Sequence, residues 1–125
     1  MRLLFVVLAL LAGCRAQAPL DPAQARAREQ ERAFEICAGC HTVQAGGIHR
    51  YGPNLHGVFG RRAGSLPDYP YSDGMRQADI TWSEETLDTF LRSPTAKVPG
   101  TRMYNAFPDP DRRRQVIDYL RQHAQ

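Results

Sequence analysis

The chain has 125 residues, which is enough for one small domain and too few for several. Only 9% of the residues are aromatic, and domains of this size usually need a disulfide, a metal or a cofactor to complete their core. The formal net charge of +3 is too small to favour a nucleic-acid-binding protein.

The first fourteen residues have the pattern of a bacterial export signal. Arg2 precedes an apolar run from Leu3 to Leu11, which is too short to span a bilayer because a spanning helix needs about 20 residues. The run ends in Leu-Ala-Gly-Cys, which resembles a lipobox and predicts cleavage before Cys14 and acylation of its thiol; a free exported thiol is the alternative. We therefore expect a lipid-anchored protein on the periplasmic side of a bacterial membrane. Its predicted parts are a signal peptide (1–13), a lipidated tether (14–20) and a folded domain (21–125).

A helix is predicted to begin at Asp21-Pro22, since aspartate is a favoured N-cap and proline a favoured first helical residue. Phe34 and Cys37 lie on one face of this helix, so we expect this face to lead into the segment that begins at Cys37.

Removing residues 1–13 would take away one charged residue, Arg2, and lower the net charge to +2.

The segment Cys37-Ala38-Gly39-Cys40-His41 is the attachment signature of a c-type haem. Two thiols at this spacing can add to the two vinyl groups of one haem, and the histidine that follows can ligate its iron. A bare cysteine pair could also be a disulfide or half a zinc site. No further cysteine or paired histidine completes a zinc site, and thiol–disulfide exchange leaves His41 without a role. Two ionised propionates would bring the net charge close to zero.

Glycines and Pro53 break regular structure between Thr42 and Gly64. Within this loop the stretch His-Arg-Tyr-Gly-Pro-Asn-Leu-His-Gly-Val-Phe-Gly-Arg-Arg-Ala-Gly, residues 49–64, resembles class I (mitochondrial-type) monohaem cytochrome c. The resemblance implies an all-α fold of helices and loops wrapped around one covalently attached haem. It also implies that the Pro53 carbonyl accepts a hydrogen bond from His41, and that Arg61 contacts a propionate.

The next stretch, Leu66 to Asp79, is interpreted as a second loop, and the resemblance gives Tyr71 in it a propionate contact. Thr81 and Glu84 are interpreted as a capping box that starts a short helix. This helix is expected to stop before Ser93-Pro94. Leu87, Phe90 and Leu91 form its apolar stripe. Trp82 is the single tryptophan, and the resemblance implies that its indole N–H points to a propionate.

The segment Val98-Pro99-Gly100-Thr101-Arg102-Met103 resembles the family loop that presents the second axial ligand. The resemblance selects Met103 as that ligand and adds Thr101 to the haem contacts. Spacing alone leaves open the rival ligands Met75, His49, His56 and His123. Asp109-Pro110 repeats the helix-start signal, and apolar residues at helical spacing predict a carboxy-terminal helix, which in the family crosses the amino-terminal one.

Three positions depart from the family pattern, all on the predicted Met103 side. Phe90 replaces a tyrosine that bonds the ligand sulfur, Met75 replaces an asparagine, and Asn105 replaces a phenylalanine at the haem edge. The lysines that ring this edge are mostly missing, although Arg50 and Arg102 remain basic.

The expected function is electron transfer: a membrane-anchored monomer carrying single electrons between respiratory or photosynthetic complexes on a His41/Met103-ligated haem. Because protein ligands fill both axial positions, enzyme activity is not expected. The alternatives are a dedicated haem subunit of an oxidase or dehydrogenase, and a peroxidase-like enzyme whose bond to Met103 is labile.

Overall fold

The computed structural model describes residues 18–125. Cys14 and the signal segment lie outside this range, so the predicted cleavage and acylation stay predictions. The regular structure of residues 18–125 consists of helices joined by long loops, and an isolated bridge pairs Arg62 with Thr81. The helices are α1 (Pro22–Ala38), α2 (Asp73–Gln77), α3 (Glu84–Arg92), α4 (Pro94–Lys97) and α5 (Pro110–His123).

The predicted starts of the two long helices are confirmed. The carboxylate of Asp21 accepts hydrogen bonds from the amides of Ala23 and Gln24, both at 2.9 Å, and Pro22 is the first residue of α1. Asp109 caps α5 in the same way through the amide of Asp111, at 3.0 Å. In both cases a side-chain oxygen satisfies amides that have no partner inside the helix.

Helices α1 and α5 pack across each other, as the family resemblance implies. The rings of Phe34 and Tyr119 stack with centroids 4.4 Å apart, and Gln122 donates a hydrogen bond to Gln30 over 3.1 Å. Phe34, Val116 and Leu120 are buried at this crossing. The first and last helices therefore close one wall of the core.

Three details of the middle of the chain differ from the predictions. Ser83, not Thr81, caps α3, because its hydroxyl accepts from the amide of Thr86 while the Thr86 hydroxyl accepts from the amide of Ser83. The stretch predicted as loop contains α2, a single turn capped by Ser72, and α4 follows α3 directly with Ser93 between them. Helices of one turn, such as α2 and α4, contain too few residues to show the helical repeat of apolar residues from which a helix is predicted.

The loop that follows α1 is tied to distant parts of the chain by backbone hydrogen bonds. Gly60 donates to the carbonyl of Trp82 at 2.8 Å, and Trp82 donates to that of Arg61 at 2.9 Å. Gly57 donates to the carbonyl of Ala124 over 2.5 Å. These bonds bring Arg61 and Trp82 together, although 21 positions separate them in the sequence.

Within residues 18–125 no helix has the length and apolar character needed to cross a membrane.

Candidate functional site

One large, mostly apolar cavity lies at the centre of the fold, and the predicted haem-binding residues converge on it. Its apolar walls come from α1, α3, α5 and the loops between them, with the side chains of Phe34, Leu55, Val58, Leu87, Phe90, Leu91, Phe107, Val116 and Leu120. Every residue that the sequence assigned to the haem within residues 18–125 lines this cavity: Cys37, Cys40, His41, Pro53, Arg61, Tyr71, Trp82, Thr101 and Met103. The fold therefore gathers the whole predicted set at one place.

The end of α1 delivers the two cysteines to the cavity. The amides of Cys40 and His41 both donate to the Cys37 carbonyl, at 3.0 and 2.9 Å, so the chain turns tightly at the motif. Both thiols are free and half-buried. Burial raises the pKa of the Cys37 thiol to about 11, against a smaller lowering by the nearby Arg112 charge, so this thiol is protonated at neutral pH in the folded chain.

His41 is held in one tautomer and one orientation. Its Nδ1–H donates to the Pro53 carbonyl at 2.7 Å, which leaves Nε2 with its lone pair. Burial lowers the pKa of the His41 imidazole, and the bond to Pro53 opposes this shift only in part. The ring is therefore neutral at neutral pH, which is the state that can ligate a metal.

Gly52 is required beside this ring because its backbone touches the imidazole. A Cβ atom built on Gly52 would lie only 2.7 Å from both ring nitrogens of His41 and closer still to the carbon between them. The Gly52 backbone is itself fixed, since its amide donates to the Cys40 carbonyl at 2.8 Å and its carbonyl accepts from Arg50 at 3.0 Å. In the sequence, Gly52 is visible only as the glycine before Pro53. The reason that position 52 requires glycine, its closeness to the His41 ring, becomes visible only in the structure.

The loop after α4 supplies the thioether at the predicted second ligand position. The amide of Met103 donates to the Thr101 hydroxyl at 3.2 Å, and the Thr101 side chain is buried. The Arg102 guanidinium donates to the Pro70 carbonyl, which ties this loop to the stretch that carries Tyr71. Met103 itself is half-buried and packs against the hydrophobic core.

Of the four rival ligands, only Met75 lines the same cavity. His49 lies outside this cavity, and both of its ring nitrogens have other partners. Its Nδ1 accepts a hydrogen bond from the backbone N–H of Asn54 at 2.9 Å, and its Nε2 lies 3.1 Å from the Asp68 carboxylate. His56 and His123 also lie outside the lining. The geometry narrows the choice to two methionines.

Three polar side chains stand together at one part of the cavity wall. The Arg61 guanidinium donates to the carbonyls of His56 at 2.9 Å and Asn54 at 3.1 Å, which leaves further N–H groups for a ligand. Burial raises the pKa of the Tyr71 phenol, and the Arg61 charge partly offsets this, so the two groups are close and Tyr71 remains a donor. Trp82 is buried with its ring edge-on to Phe90, centroids 5.1 Å apart, and a buried indole N–H needs an acceptor.

The three departures from the family pattern all line the cavity as well: Phe90, Met75 and Asn105. Phe90 is 5% exposed and has no group that can donate a hydrogen bond. Phe90 therefore offers no hydrogen bond to a ligand sulfur, whereas Asn105 adds a polar side chain to the lining.

The sequence interpretation missed Asn54, which organises the loop beneath His41. Its amide nitrogen donates to the Thr42 hydroxyl at 2.6 Å and to the Gln44 carbonyl at 3.0 Å, and its carbonyl oxygen accepts from His56 at 2.8 Å. Pro53 stands next to Asn54, so this network also positions the Pro53 carbonyl. The sequence shows only that an asparagine follows Pro53, and it does not show the hydrogen-bond partners of Asn54, which lie at other positions along the chain.

These residues fit a haem. The cavity offers apolar walls for a flat macrocycle. Its lining also contains two thiols, a neutral imidazole, a thioether, and a cation with two polar donors for carboxylates. A metal held by the protein alone is a different arrangement, and among residues 18–125 no three His, Cys, Asp or Glu side chains are placed to hold one.

Comparison with known proteins agrees with this geometry. The family model of cytochrome c matches residues 27–124. Cytochrome c of Ginkgo biloba is 42% identical over 94 residues, covering 74% of this chain and 83% of the plant protein, and that of Kluyveromyces lactis is 40% identical over 85 residues, covering 67% and 77%. Cytochrome c2 of Blastochloris viridis is 36% identical over 107 residues, covering 84% of each chain. The chain therefore belongs to the cytochrome c family, whose members are electron carriers with a covalently bound haem c and are not enzymes.

Proposed function

We propose that this cytochrome c is a lipid-anchored electron carrier that moves single electrons between respiratory or photosynthetic membrane complexes. Cys37 and Cys40 would hold its haem covalently, and His41 and Met103 would be the axial ligands of the iron. The observation that carries the proposal is the convergence of a neutral, oriented imidazole and a thioether on one apolar cavity.

The haem, when bound, supplies an iron that exchanges one electron. The chain holds His41 as a neutral ligand through the Pro53 carbonyl and offers Met103 as a soft, uncharged ligand, a pair that favours a raised reduction potential. If His41 and Met103 both ligate the iron, the haem would have no open coordination position for a substrate. The apolar walls exclude water, so little solvent has to reorganise when the charge changes.

Arg61, Tyr71 and Trp82 are proposed to bind the haem propionates. The three donors lie together on the cavity wall, and Arg61 is already oriented by the carbonyls of Asn54 and His56. A cation with two neutral donors stabilises a carboxylate inside a region of low dielectric. Thr101 is assigned to the haem contacts on the Met103 side.

A redox titration of the purified protein, followed by absorption spectroscopy, tests the axial ligands. We expect one haem per chain, a positive reduction potential and a Met–iron charge-transfer absorption in the ferric state at neutral pH. A strongly negative potential without that absorption would contradict ligation by Met103. If the protein purifies in a fixed ratio with one oxidase or dehydrogenase, the dedicated-subunit interpretation replaces the carrier.

The membrane anchor rests on the lipobox-like sequence before Cys14. We expect the intact mass of the membrane-extracted protein to correspond to residues 14–125 with one haem and added acyl chains, and we expect Cys14→Ser to release the holoprotein into the soluble fraction. The matched control is Arg15→Ser, which leaves the cysteine in place and should stay with the membrane. A mass showing a free Cys14 thiol would refute the anchor.

A further inference from the structure

Arg113 is a buried cation in α5, and the haem site described above does not use it. The residue is only 5% exposed. A buried guanidinium is unfavourable unless it is paired and fully hydrogen-bonded. Its three partners therefore indicate what it does.

Those partners join α5 to two other parts of the fold. The Nε of Arg113 donates to the Asp88 carboxylate of α3 at 2.7 Å, and one terminal nitrogen donates to the carbonyls of Phe107 at 2.9 Å and Pro108 at 2.8 Å. Asp88 is about 40% exposed, so it is the outer member of the pair. Its bond to Nε fixes the plane of the guanidinium and so aims the terminal nitrogen at both carbonyls.

Phe107 and Pro108 end the segment that carries Met103. We call residues 102–106 the Met103 strap. Before the strap, the amide of Thr101 donates to the Val98 carbonyl at 3.1 Å; after it, the amide of Phe107 donates to the Leu91 carbonyl at 2.8 Å. The strap is exposed except for Met103 itself.

The carboxyl end of the strap is thus held through both backbone groups of one residue, Phe107. The Phe107 amide is bound to α3 and its carbonyl to Arg113 of α5. Loss of the Arg113 bonds would leave the Phe107 amide as the hydrogen bond that fixes this end. An exposed loop held by fewer bonds opens at a lower free energy.

We propose that Arg113, oriented by Asp88, is a positioning residue that keeps the Met103 strap closed and so keeps the thioether in the cavity. The inference rests on the proposed ligation by Met103. Arg113 acts through the backbone of Phe107 and Pro108, and none of its hydrogen bonds goes to Met103 or to the other haem-binding residues named above. Its removal is expected to favour an open strap, in which the ligand position can be taken by another molecule.

Imidazole is the probe. It is titrated into the ferric holoprotein while the Met–iron absorption is followed, because its apparent affinity rises with the fraction of molecules whose strap is open. We expect Arg113→Gln to strengthen imidazole binding by about ten-fold or more. Asp88→Asn keeps an acceptor oxygen but loses the charge, so we expect a smaller change in the same direction, and Arg113→Lys should not restore the wild-type affinity.

Two controls separate positioning from general destabilisation. Arg114→Gln removes an exposed neighbour of Arg113 that pairs with Asp111 at 3.1 Å, and it should change nothing. Tyr119→Leu removes the stack on Phe34 within the same helix, so it should lower the free energy of unfolding without changing the affinity for imidazole. Equal affinities in Tyr119→Leu and Arg113→Gln at matched stability would overturn the inference.

Amide hydrogen exchange of residues 102–107 gives a second measurement that does not depend on the haem spectrum. We expect faster exchange there in Arg113→Gln and Asp88→Asn than in the wild type. Unchanged exchange and unchanged imidazole affinity would show that Arg113 does not hold the strap. If the wild type lacks the Met–iron absorption but the amides of residues 102–107 still exchange faster in the variants, the assignment of Met103 as a ligand is wrong. The conclusion that Arg113 holds the strap is then still supported. Asp88→Asn covers the case in which Arg113→Gln does not fold.

Discussion

Met103→Leu is expected to abolish the Met–iron absorption and to lower the reduction potential by a few tenths of a volt, within the span of about 0.8 V that axial ligands cover. Leucine fills a similar volume but has no lone pair, so the packing of the cavity is kept while the ligand is lost. Absorption spectra and a redox titration of the variant measure both effects. The other proposed protein ligand, His41, should be unaffected because Pro53 still fixes its ring.

Met75→Leu is the matched control, since Met75 is the other described methionine that lines the cavity. It should keep the Met–iron absorption and change the potential little. The opposite result, with the absorption lost in Met75→Leu and kept in Met103→Leu, would assign the ligand to Met75. The pair of variants therefore decides between the two candidates that the geometry leaves.

Gly52→Ala should damage the other side of the haem site. The new Cβ would overlap the His41 ring, and the backbone at Gly52 cannot retreat because its amide and its carbonyl are both bonded. We expect the imidazole to be displaced, the Pro53 bond to be lost, and the free energy of unfolding to fall by about 3 kcal/mol or more, at the upper end of overpacking effects. Haem content per protein and denaturant unfolding measure the change.

The control for this variant is Gly39→Ala, which lies inside the attachment motif. Gly39 has a helical φ of −63°, and a Cβ there would meet the nearest atom at an ordinary 3.7 Å. Haem attachment should be unchanged in Gly39→Ala. Normal haem content and stability in Gly52→Ala would contradict the steric argument.

Local signals allowed much of this site to be predicted. Asp21-Pro22 and Asp109-Pro110 start the two long helices, because capping depends on residues next to one another in the chain. The cysteine motif is also a local pattern, and it lies at the carboxyl end of α1. The cytochrome c fold class was predicted correctly from the three motifs and their order.

The errors occurred where the outcome depends on contacts between distant residues. Thr81 was assigned as the cap of α3, but its carbonyl accepts from the Thr86 hydroxyl and its backbone pairs with Arg62, so Ser83 takes the capping role. Arg113 is one of three consecutive arginines, and the sequence around it gives no sign that it differs from its neighbours. Its burial depends on Asp88, 25 positions earlier, and on two backbone carbonyls, which leave no mark in the local sequence.

The packing of α5 against α1 also constrains the order in which the protein can mature. Val116 and Leu120 form part of the cavity wall, so the cavity has no complete wall until the last helix is in place. A chain is made from its amino terminus, and Cys37 therefore emerges well before α5. Once the fold has closed, the partial burial of Cys37 raises the pKa of its thiol, which lowers the fraction present as the reactive thiolate. We therefore expect Cys37 and Cys40 to react with the haem more readily before α5 packs against α1 than after it.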